Sequence, residues 1–258
     1  MPRLTATTRA DRQSTKGQGV ADFRNAFFHA PAAEVPGYLS RLMREKALKA
    51  FLLTATALAV PAALSVLRMD KYHLHLAMNS FHGPLPDAAF PVLTELANGF
   101  VPAILAVLLL FQSWRSFLMM GLSTGLSALV VQFLKRAVFN DHDRPAMFLD
   151  HMGGLHTVAG VDLHHYFSFP SGHSTAAFSM CLALAVVIGK RPAAVVLALF
   201  AALLAYSRVY LSQHFTEDIL AGAIVGCLVG AAVYMFLYRG AWGRRSTLDR
   251  SPFLRQNQ

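Results

Sequence analysis

Apolar residues in this chain come in unbroken blocks rather than at the three- and four-residue spacing of an amphipathic helix. Ala47 to Leu67 is one block, with Lys49 at its edge. Ser116 to Leu134 holds no charge, Gly172 to Gly189 has a single histidine at its start, Pro192 to Ser207 is apolar throughout, and Ile219 to Tyr238 is another. Each approaches the roughly 20 residues that a helix needs to cross a bilayer. A further block, Phe100 to Phe111, is strongly apolar but short, so its span is extended back to about Phe90 and takes in Glu95 and Asn98. The pattern predicts an all-α polytopic membrane protein with six transmembrane helices in one bundle. Residues 68–90 then form a first loop, with a short interfacial helix near Tyr72 to Ser80, and residues 135–170 a long second loop on the same side.

Composition agrees with lipid as the solvent. The 258 residues are 55% hydrophobic and 14% charged, too little charge to cover a soluble surface. Basic residues retained on the cytoplasmic side orient a bundle. With both termini inside, 17 of the 23 Lys and Arg residues fall on the cytoplasmic side and six on the other. The same distribution accounts for the net charge of +9 without nucleic acid. Residues 1–45 read as a basic, largely flexible cytoplasmic segment, too polar for a secretory signal. Residues 46–240 form the six-helix domain, and 241–258 a basic cytoplasmic tail. Cys181 and Cys227 sit inside apolar blocks without CxxC spacing and read as helix-packing residues.

Four of the six remaining basic residues fall in three segments with chemical character. The first runs from Lys135-Arg136 to Arg144-Pro145, the second is Pro170-Ser171-Gly172-His173, and the third runs from Ser207-Arg208 to His214 and Asp218. The span count puts all three on the non-cytoplasmic side. Lys135, Arg144 and Arg208 are cations near hydrocarbon, costly unless an anion pairs with them. Arginine forks match phosphate oxygens. Ser171 and Gly172 open a helix, whose free N–H groups can cradle a phosphoryl group. His214 and Asp218, four apart, share one helical face, so the carboxylate can fix one ring nitrogen and orient the other as nucleophile. His173 is then free to protonate the leaving oxygen and later to activate water. Phosphoryl transfer through a phosphohistidine needs no metal and no cofactor in this scheme.

These three segments resemble the signature of the type-2 phosphatidic acid phosphatase superfamily. The second and third segments match without gaps. The first carries two extra residues: eight residues separate Lys135 from Arg144, where the family has six, and Ala137 stands at the family's lysine position. Either Lys135 or Arg136 could then meet the phosphate, with Lys135 the expected one and the loop bulging at Asn140 to Asp143. The resemblance implies His214 as nucleophile, Asp218 as its orienter and His173 as general acid. It implies Lys135, Arg144, Ser171, Gly172 and Arg208 as phosphate ligands.

A site at headgroup level favours a phosphorylated lipid over a soluble ester. By resemblance the candidates are phosphatidic acid, phosphatidylglycerophosphate, undecaprenyl diphosphate and the lipid A phosphates. The expected setting is a bacterial inner membrane, with membrane lipids as partners and no obligate protein partner. The loop 146–168 carries His151, His156, His164 and His165 but no helical histidine spacing or cysteine partner, which disfavours a metal there. The alternatives are a lipid phosphotransferase of the same superfamily and a transporter. A transporter would set its charges near the bilayer midplane, whereas these cluster at one face.

Overall fold

In hydrocarbon a backbone must satisfy its hydrogen bonds within its own segment, so apolar blocks become helices. The computed structural model describes residues 37–253, and among these there is no strand. From Ser40 onward they fold as one unit. The helices are α1 (Gly37–Arg68), α2 (Lys71–Asn79), α3 (Pro84–Glu95), α4 (Phe100–Leu109), α5 (Trp114–Phe133), α6 (Gly172–Ile188), α7 (Arg191–Tyr210) and α8 (Thr216–Tyr234). α5 and α8 each run on into a single π-turn, Leu134–Val138 and Met235–Arg239.

Among the described residues four helices are long and apolar enough to cross a membrane, five if the bent pair α3–α4 counts as one span. α6 is a shorter apolar helix. The bend of 55° in α3–α4 has a local cause. Asn98 accepts from the N–H groups of Phe100 and Val101 and donates to Glu95, so its side chain ends one helix and starts the next. The two polar residues included in this span are therefore its hinge.

α6 lies at the centre, packed against α5, α7 and α8. Ala177, Cys181, Leu182 and Ala185 are fully buried on it. α8 approaches α6 backbone to backbone. A Cβ at Gly222 would lie 2.5 Å from the Ser171 carbonyl oxygen, and one at Gly226 would lie 2.6 Å from that of Thr175. Only glycine permits that distance, as in small-residue helix packing in membranes. α1, by contrast, leaves Leu53, Val60, Leu64 and Leu67 exposed, as lipid-facing positions should be.

Two expected boundaries fall inside ordered structure. α1 begins at Gly37, ahead of residue 46, because its basic first turns have partners. Arg41 donates to the Gly243 carbonyl and Arg44 to the last carbonyls of α6, Val186 and Val187. Residues 1–36 of the expected N-terminal segment lie outside the described residues. Residues 241–249 of the expected C-terminal tail form two short 3₁₀ turns. Buried Arg115 gathers them, donating to the Leu237, Trp242 and Arg245 carbonyls and pairing with Asp249.

Candidate active site

The three chemical segments meet at one end of the bundle, where α5 ends, α6 begins, α7 ends and α8 begins. The start of α6 is bound to the start of α8. The Ser171 N–H donates to the Asp218 carbonyl at 2.9 Å and the Ser174 hydroxyl to the Ile219 carbonyl at 2.6 Å. Ser171 is the N-cap, its hydroxyl accepting from the Ser174 N–H. The N–H groups of Gly172 and His173 in the first turn then have no intrahelical acceptor and are available to an anion.

His214 sits in the turn between α7 and α8 and is 1% exposed. Its Nδ1 lies 3.3 Å from Asp218 Oδ2 and 3.3 Å from the Ser168 hydroxyl. The Asp218 carboxylate also accepts from Ser168 and from the Phe215 N–H. With Nδ1 engaged by a carboxylate, Nε2 is the nitrogen left with a lone pair. Burial holds the His214 pKa well below the ordinary imidazole value of 6.5, and the charges of Arg144, Lys135, Arg208 and His173 push it in the same direction. The ring is thus neutral at neutral pH and within electrostatic reach of all the other chemical side chains.

The cations have few protein partners. Lys135, in the π-turn at the end of α5, is 7% exposed and donates to the Phe167 carbonyl. Arg144 is half-buried and donates to the Tyr166 and Gln213 carbonyls. Arg208 donates to Thr94 Oγ1, while its buried Nε has no partner. Among the described residues none of the three forms a salt bridge. Buried guanidinium and ammonium groups without a counter-ion are unfavourable alone, and a bound oxyanion would satisfy them. The π-turn separates the neighbouring basic residues: Lys135 is buried and Arg136 is exposed.

Several residues the sequence did not single out complete the frame. Ser168 reaches both His214 and Asp218. Thr94 on α3 anchors Arg208. His75 on α2 is buried, with Nε2 3.2 Å from the Ser212 hydroxyl and its ring against Phe215, supporting the His214 turn from behind. Burial lowers its pKa to about 4, so it packs there as the neutral ring. The loop histidines divide. His156 pairs with Asp87 at 2.9 Å, and His151 stacks on Tyr72. Among the described residues no group of three His, Cys, Asp or Glu side chains is arranged to hold a metal ion.

An all-helical bundle with paired histidines and converging cations at one helix end defines a class of membrane phosphoryl-handling proteins. Residues 116–242 match the PAP2 superfamily model, and the chain belongs to that superfamily. It is 28% identical over 162 residues to undecaprenyl-diphosphatase BcrC of Bacillus subtilis, covering 61% of this chain and 78% of that protein. It is 29% identical over 177 residues to lipid A 4'-phosphatase of Porphyromonas gingivalis, covering 66% and 75%. The fold is similar to the crystal structure of LpxE of Aquifex aeolicus, with a TM-score of 0.55 and 28% identity over 62% of this chain and 92% of that one. It is also similar in fold to a phosphatidylglycerolphosphate phosphatase of Bacillus subtilis, with a TM-score of 0.53 and 24% identity over 76% and 96%. The chain is an integral membrane protein and a phosphoric ester hydrolase of the PAP2 kind.

Proposed function

We propose that the protein removes phosphate from a lipid phosphomonoester or diphosphate through a phosphohistidine intermediate. The observation that carries this reading is the placement of His214. Its Nδ1 is held by Asp218 and Ser168, its burial keeps it neutral, and three cations without salt-bridge partners lie around it.

The phosphoryl oxygens are held by Lys135, Arg144 and Arg208, by the free N–H groups of Gly172 and His173 at the start of α6, and by the Ser171 hydroxyl, whose O–H is still free to donate. These groups stabilise the charge on the equatorial oxygens of the transition state. The His214 Nε2 lone pair attacks phosphorus, and the bond to the leaving oxygen breaks with its electron pair on that oxygen. His173 supplies the proton where the leaving group is an alcohol. The charge that develops on His214 is balanced by Asp218 through Nδ1–H. Water, deprotonated by His173, then attacks the phosphohistidine and releases inorganic phosphate.

The proposed setting is a six-span bundle in a bacterial inner membrane, with both termini cytoplasmic and the site on the opposite face. The distribution of lysine and arginine supports that orientation. The bent α3–α4 pair and the short α6 would supply the second and fourth spans. The lipid phosphatases among the relatives support a lipid-borne substrate.

The test is phosphate release by purified protein from phosphatidic acid, phosphatidylglycerophosphate, undecaprenyl diphosphate and lipid A. The wild type releases phosphate from at least one. His214→Ala falls to background while eluting from a sizing column as the wild type does. Full activity in His214→Ala would remove the nucleophile, and transfer of the phosphate to a second lipid without release would replace hydrolysis by phosphotransfer.

A further inference from the structure

Beside the phosphate cluster lies a cleft of about 380 Å³ to which the proposed reaction gives no task. Lys135 and Arg144 form the wall it shares with the cluster, while His173, His214, Arg208 and Asp218 do not line it. One side is the end of α5, where the π-turn that buries Lys135 leaves Arg136 and the preceding Gln132 exposed. The other side is the strip His164 to Phe167.

The shared cations build this cleft. The Lys135 ammonium donates to the Phe167 carbonyl, the Arg144 guanidinium to that of Tyr166, and the Arg144 N–H to that of His165. The strip is therefore held in place by the same side chains that face the cluster. The remaining polar lining is unoccupied by protein partners. Among the described residues, the side chains of Gln132, Arg136 and His164 form no hydrogen bond or ion pair with protein. Burial and the charges of Arg144 and Arg208 keep His164 below the ordinary imidazole pKa, so at neutral pH it offers one N–H donor without a charge. The walls thus carry three cations and no carboxylate, in a volume suited to a small group.

We propose that this cleft is a second anion subsite, which takes the inner phosphoryl group of a lipid diphosphate while the terminal phosphoryl lies at His214. This rests on the reading of His214 as nucleophile. In a diphosphate the terminal phosphorus passes to His214, and the electron pair of the broken P–O bond stays on the bridging oxygen. The product is the lipid monophosphate, whose added negative charge appears on the inner phosphoryl group. Water then releases the terminal group as inorganic phosphate. Arg136, beside Lys135 and Arg144, stabilises the charge that develops there, while Gln132 and His164 donate hydrogen bonds. A monoester leaves as an alcohol and places no such charge in the cleft. Arg136 accordingly selects diphosphates over monophosphates.

The test compares farnesyl diphosphate with farnesyl monophosphate in the same detergent, using wild type, Arg136→Gln and Arg136→Lys. Arg136→Gln should lower kcat/KM for the diphosphate by about tenfold and leave that for the monophosphate within about twofold, with Arg136→Lys recovering part of the loss. Equal losses on both substrates, or no loss on either, would overturn the subsite while leaving the phosphatase standing. A wild type that releases phosphate from neither probe nor from any lipid tried would overturn the phosphatase reading and the subsite with it. Competition by inorganic phosphate equal against both substrates and unaltered in Arg136→Gln agrees with a cleft that reads the lipid's own second phosphoryl. Competition weakened by that variant would make it a site for free phosphate and overturn the proposal.

Discussion

Two electrostatic influences on His214 point the same way. As a nucleophile it must keep a lone pair, and as a neighbour of three cations it is repelled from its protonated form. Burial and those cations act together, so its pKa falls well below 6.5. Lowering the pH removes activity only when it reaches this depressed value, because only then is Nε2 protonated. The acid limb of kcat/KM should therefore lie below pH 6.5 and stay in place across substrates whose own phosphate pKa values differ. An enzyme limb at or above 6.5 would place His214 in a solvated setting that this geometry does not have. Much of this was legible in the chain. Residue type and spacing single out His173, His214, Asp218 and the three cations, because few other tasks bring such groups to the ends of apolar blocks. Ser168 and Thr94 were not legible. A lone serine or threonine carries no signal until the fold shows which carboxylate or guanidinium it meets.

At the scale of elements, the decisive contact is between α6 and α8. The backbone of Ser171 at the start of α6 touches Gly222 on α8, and the same α8 carries Asp218. A methyl group at Gly222 must therefore push the start of α6 away from Asp218. Gly222→Ala should cost about 1–3 kcal/mol of stability by overpacking and reduce kcat by on the order of 100-fold through misplacement of that helix start. Thermal unfolding in detergent and phosphate release would measure the two effects, and unchanged values of both would show that the helices are not in tight register. Helix existence was legible from the apolar blocks, since length and hydropathy in lipid leave few alternatives. The hinge at Asn98 and the 3₁₀ turns after Gly240 were not. They depend on a side-chain cap and on Arg115 reaching a distant segment, neither of which has a local periodicity. The two extra residues before Arg144 were visible as a departure in spacing. The π-turn at Leu134–Val138, which buries Lys135 and leaves Arg136 exposed, was not legible and required the backbone.

At the scale of the whole molecule, the chemical side chains among the described residues lie at one end of a lipid-facing bundle, and Arg41, Arg44 and Arg115 lie at the other. Arg41, Arg44 and Arg115 are spent on carbonyls and an aspartate, closing α1, α6 and the C-terminal turns together. Lys135, Arg144 and Arg208 act together on His214, and among the described residues none of the three forms a salt bridge. This division leaves positive charge without salt-bridge partners at the end of the bundle that carries His214, which suits the proposed anionic headgroup. The central claim is that a phosphoryl group passes through His214. It is tested most directly by quenching the protein during turnover of a ³²P-labelled lipid phosphate and locating the label. The account predicts an acid-labile, alkali-stable phosphoryl group on the peptide that contains His214, absent from His214→Ala. Stoichiometric turnover with no label on the protein, or label on His173 instead, would contradict it.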